Sequence, residues 1–76
     1  MSYTELRELV ALPGQIETLE RELETLNATV AGPTFYQEAA DAIKETMARL
    51  ETVQAQVGQA YGRWEQLEAR RGSFRG

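Results

Sequence analysis

Seven apolar residues recur at alternating spacings of three and four: Leu9, Leu12, Ile16, Leu19, Leu23, Leu26 and Val30. Sustained spacing of this kind lays one narrow apolar stripe along a helix, and the stripe is satisfied only by a facing partner. A second series, Ile43, Met47, Leu50, Val57, Tyr61 and Trp64, follows an interruption at Ala31-Gly32-Pro33. Two stripes divided by one helix-breaking turn predict an all-α chain folded back on itself, a two-helix antiparallel coiled-coil hairpin. Such a narrow hairpin has no interior in which to build a pocket, and that limits its chemistry.

A register follows from pairing Leu23 with Leu50, so that facing positions sum to about 73. Val30 then meets Ile43, Leu26 meets Met47, Ile16 meets Val57, Leu9 meets Trp64 and Leu6 meets Leu67. The fold centre falls at Phe35–Tyr36, inside the turn signals. The second stripe has one defect, Met47-Leu50-Val53, with two successive spacings of three. Either a stammer overwinds the coil there or the stripe is wide. A wide stripe would let Tyr3, Leu6, Trp64 and Leu67 cluster at the base.

Ser2-Tyr3-Thr4-Glu5 has the form of a capping box, so the first helix is expected over about residues 3–31. Pro13 lacks an amide proton and its ring crowds the carbonyl of Leu9, while Gly14 lowers propensity further. A kink or break is therefore expected near residues 12–14. Gly32 fits a left-handed position after the helix and Pro33 blocks continuation. A tight turn is expected at about residues 32–37, with Thr34-Phe35-Tyr36-Gln37 as a second capping box and Phe35 and Tyr36 packed across the tip. The second helix is expected over about residues 37–70, and residues 71–76 as a flexible basic tail. The 76 residues make one small domain.

Histidine and cysteine are both absent. The common zinc ligands and nucleophile–base pairs are therefore missing, and a paired-carboxylate site would need a cleft to set two pKa values apart. Neither catalysis nor a cofactor is expected. Absent cysteine also fits a reducing cytoplasm. No apolar run approaches the roughly 20 residues that span a bilayer, and no charged n-region precedes an apolar stretch, so neither a membrane segment nor a secretory signal is expected.

The net charge of −4 conceals a gradient. Glu17, Glu20, Glu22, Glu24, Glu38, Asp41, Glu45 and Glu51 outnumber Arg21, Lys44 and Arg49 in the middle of the chain. Towards the ends, Arg7, Arg63, Arg70, Arg71 and Arg75 face Glu5, Glu8, Glu65 and Glu68. A hairpin gathers those five arginines at its base. They can neutralise phosphates and release counterions without reading sequence, with Phe74 stacking on an unpaired base. Alternatively they solvate the helices and pair with the neighbouring glutamates. Tyr61 and Trp64 lie at seam spacing and read as core residues before they read as a stacking platform. Arg21, Lys44 and Arg49 read as solvated-face residues.

Ser2-Tyr3 followed by Arg7-Glu8-Leu9, Leu12-Pro13, Ile16-Glu17 and Leu19-Glu20 resembles the C-terminal domain of Uup-type ABC-F ATPases. Gly32-Pro33-Thr34-Phe35-Tyr36 and Arg63-Trp64-Glu65-Gln66-Leu67-Glu68 match in the same order, so the resemblance covers about residues 2–69. It implies an antiparallel coiled-coil arm, associated with DNA binding, of a cytoplasmic protein with two ATP-binding cassettes; DNA or structured RNA is the expected partner, and a monomer is expected in isolation. It equally admits a spacer or interaction hairpin docking on its own cassette domains or on the ribosome. There is no Walker A pattern, so any ATPase activity would lie in another part of the parent protein. Gly14, Gly58 and Gly62 stand where better helix formers are expected, and the resemblance assigns nucleic-acid contact to no particular residue.

Overall fold

The structure, a computed structural model, describes residues 2–73. Two antiparallel helices, α1 (Tyr3–Ala31) and α2 (Ala40–Ser73), are joined by a turn holding a short 3₁₀ segment, Phe35–Gln37. They form a rod of 57 × 17 × 16 Å. Among the described residues there is no strand, and no helix is long and apolar enough to cross a membrane.

The first helix starts as its sequence dictates. Ser2 Oγ accepts from the Glu5 amide at 3.1 Å, and Glu5 Oε1 accepts from the Ser2 amide at 3.2 Å. Of the kink or break expected near residues 12–14, the break does not occur: α1 runs through Pro13. A proline leaves the Leu9 carbonyl without its i+4 donor. Yet Leu9, Leu12 and Ile16, which bracket it, are all buried against α2. Burying three branched side chains outweighs one missing hydrogen bond.

The tip also departs from expectation. Gly32 has φ −66° and ψ 148°, extended rather than left-handed. Glycine suits it for closeness instead, since a Cβ there would lie 3.2 Å from the Thr29 carbonyl oxygen. Thr34 makes no side-chain cap; successive i→i+3 bonds, Gln37 N–H to Thr34 and Glu38 N–H to Phe35, carry the chain round. For that reason α2 begins at Ala40 rather than about residue 37. It extends to Ser73, so residues 71–73 are helix and not tail; residues 74–76 lie outside the described part.

Phe35 is 2% exposed and plugs the tip, with Tyr36 edge-on at 5.0 Å and itself exposed. Down the seam, Leu50, Val53 and Leu67 from α2 are buried with Leu9, Leu12 and Ile16 from α1. Val57, Ala60 and Trp64 are half-buried in the same frame, which continues back through Thr46 and Ile43 at regular spacings of three and four; the seam is therefore neither widened nor interrupted, and Met47, 42% exposed, lies off it. Gln54 and Tyr61 fall outside it and are exposed. At the base the cluster is Leu9, Leu12 and Leu67, with Ala60 and Trp64 packed on it. Tyr3 and Leu6 do not join it; they are 74% and 43% exposed.

Candidate nucleic-acid interface

The antiparallel fold brings the start of α1 and the end of α2 to one end of the rod, and with them the basal arginines. Arg63 Nε and Nη2 donate to both oxygens of Glu8, at 2.6 and 2.9 Å. Arg70 pairs with Glu5. Arg71 reaches Glu68, one turn back on its own helix, at 3.5 Å. Three of the five candidate arginines are thus ion-paired, as the solvating alternative requires. Glu65 is not among the acids they use in the described residues.

These contacts set the local electrostatics. The Glu8 carboxyl is held below its ordinary value chiefly by the Arg63 hydrogen bond, and Arg63 is raised in return. Glu5 is lowered chiefly by the backbone amide of Ser2, with the charge of Arg70 helping to outweigh a desolvation cost. Because all of these groups face solvent, the pairs orient guanidinium planes more than they stabilise the fold. Glu8 engages two of the five N–H donors a guanidinium carries, and others remain for a phosphate.

Arg7 differs. Among the described residues no carboxylate lies within ion-pair distance of it; its guanidinium carbon sits 5.9 Å above the ring of Tyr3, one turn earlier. Tyr3, Leu6, Arg7, Val10 and Ala11 line a shallow open concavity beside the seam. Sequence reasoning placed Tyr3 in the basal core and so missed this exposed surface. Its signal was the i,i+4 spacing of an aromatic and a cation on a face the seam does not use. Arg75 and Phe74 lie outside the described residues.

Elsewhere the charges are structural. Arg49 forks onto Glu22 across the hairpin at 2.6 and 2.8 Å and holds that carboxyl low, a pairing the reading of Arg49 as merely solvated did not foresee. Arg21 meets Glu17 at 2.5 Å, the expected i,i+4 pair. Tyr61 donates its hydroxyl to Glu20 at 2.9 Å, which raises the phenol. No cluster of three or more metal-ligating side chains is found among the described residues.

The chain matches the ABC transporter C-terminal domain over residues 1–69. It is 39% identical over 71 residues to an ATP-binding protein Uup-like of Haemophilus influenzae and 37% identical over 76 residues to that organism's ATP-binding protein Uup. It is 36% identical over 69 residues to ATP-binding protein Uup of Escherichia coli K12. These alignments cover 93%, 100% and 91% of this chain but 16%, 12% and 11% of the relatives, so it spans less than a sixth of their length. Among solved structures it superimposes on the C-terminal domain of the Uup protein, described as a DNA-binding coiled coil motif. The TM-score is 0.85 at 36% identity, over 91% of this chain and 81% of the other.

Proposed function

Because the chain belongs to the ABC transporter C-terminal domain family, we propose that it is the nucleic-acid-binding arm of a longer, Uup-type ATP-binding protein. What carries this is the likeness, along almost the whole hairpin, to a coiled coil described as DNA-binding. The arm itself is non-catalytic and holds no cofactor; ATP-binding cassettes in the parent protein, working in the cytoplasm, would supply any hydrolysis. Binding is electrostatic and indifferent to sequence. Arg7, Arg63, Arg70, Arg71 and Arg75 meet the phosphates, with the acidic upper half pointing away.

The arm is tested by gel mobility shift with single-stranded DNA, duplex DNA and structured RNA at low and physiological salt. Binding should weaken steeply with salt, and a double charge reversal, Arg70→Glu with Arg71→Glu, should weaken it and flatten the salt dependence. Unchanged affinity and slope in that variant would remove the basal patch. No binding at low salt would overturn nucleic-acid recognition altogether.

One observation favours a second reading, a hairpin docking on its own cassette domains or on the ribosome: Arg63, Arg70 and Arg71 already have carboxylate partners. Absence of nucleic-acid binding at low salt, with a monomer by light scattering across a concentration series, would support it.

A further inference from the structure

We propose that Tyr3 and Arg7 form a stacking subsite for an unpaired nucleobase and its phosphate, on the outer face of α1 at the base of the hairpin. The inference rests on the nucleic-acid reading above and gives it a location and a preference for single strands. Three features coincide there. Tyr3 is 74% exposed, a large area for an aromatic ring. Arg7 lies over one face of that ring, and among the described residues it has no carboxylate partner, unlike Arg63, Arg70 and Arg71. Leu6 and the 81% exposed Val10 extend the ring into an apolar floor.

A cation on one ring face leaves the other for a base, and it holds the ring in place. Bases stack on aromatic side chains irrespective of identity, because each presents a π-face. A duplex keeps its bases stacked on one another and offers this surface only phosphates; a single strand or frayed end offers both. A purely protein partner would use the apolar floor but would leave Arg7 uncompensated unless it supplied an acid. The charge therefore favours a polyanion.

Tyr3→Ala should weaken binding of oligothymidine about tenfold, within the range of base–aromatic stacking, and leave duplex affinity nearly unchanged. Tyr3→Phe should keep single-strand affinity, since the hydroxyl is not used. Arg7→Gln should weaken both ligands and reduce the salt slope on single strands by roughly 0.7. Both side chains are exposed, so thermal melts of the three variants should match the parent chain. In a direct test, irradiated 5-iodouracil DNA should crosslink to Tyr3, identified by mass spectrometry. Unchanged single-strand binding by Tyr3→Ala, while the Arg70→Glu, Arg71→Glu variant loses binding, would overturn the subsite and leave the nucleic-acid function standing. So would an equal loss on duplex and single strand. If the parent chain bound no DNA at low salt, both proposals would fall and the patch would belong to a protein contact.

Discussion

Arg63 grips Glu8 across the hairpin with the same two-pronged geometry by which Arg49 grips Glu22. The acids stand two heptads apart on α1 and the arginines two heptads apart on α2. The second clamp is thus the first repeated about 21 Å along the rod. Both lie within two residues of the register drawn from Leu23 facing Leu50. A slip of one residue would break both forks together, so the pairs specify alignment more than they add stability.

Acid should loosen the alignment. Glu5, Glu8 and Glu22 all titrate below their ordinary value of 4.5. A lowered native pKa means that their contribution is complete above the unfolded value and disappears as pH falls through the native one. The thermal midpoint by circular dichroism should therefore hold steady near neutrality and decline below about pH 4.5. In Glu8→Gln with Glu22→Gln the decline should be shallower; an identical acid limb in that variant would mean the forks contribute nothing to it.

Leu67 and Leu6 separate the observed seam from the simple register. Leu67 is fully buried and Leu6 is 43% exposed, although the register paired them. Leu67→Ala should cost about 2–5 kcal/mol, as deletion of a packed leucine does, against less than about 1 kcal/mol for Leu6→Ala. Equal costs in urea unfolding would contradict the buried frame.

Several α-helical positions carry residues that weaken the helix without visible need, Pro13, Gly58 and Gly62 among them. A Cβ at Gly58 or Gly62 would meet nothing within 4 Å, so each change to alanine should stabilise by about 1 kcal/mol. Pro13→Ala should restore the amide donor to Leu9 and add up to about 3 kcal/mol. For a domain of this size each kcal/mol raises the melting temperature by roughly 4–8 °C. A lowered midpoint for Pro13→Ala would show that the proline relieves a strain at the base.

The hairpin was legible because the spacing of Leu9 to Val30 and the Gly32-Pro33 interruption are independent signals of one turn. Pro13 left a kink and a break open because the local cost lies in five residues, whereas the burial that keeps the helix unbroken comes from Leu67 and Ala60, far along the chain. Thr34 looked like a cap, but capping strings do not reveal that Phe35 must dive under the tip, which drives the backbone into i→i+3 bonds. Among the arginines, composition showed how many charges meet and left open whether Glu5, Glu8 and Glu68 would claim them. Tyr3 went unread because an aromatic near a leucine seam is taken for core until its angular position is known.

A length of 57 Å against a cross-section of 17 × 16 Å gives the domain the proportions of a lever, with the start of α1 and the end of α2 together at one end and the turn at the other. Phe35, buried at the turn, ties the two helices together at the far end. By geometry alone, a small rotation at the Tyr3 end would displace Phe35 in proportion to the whole length of the rod.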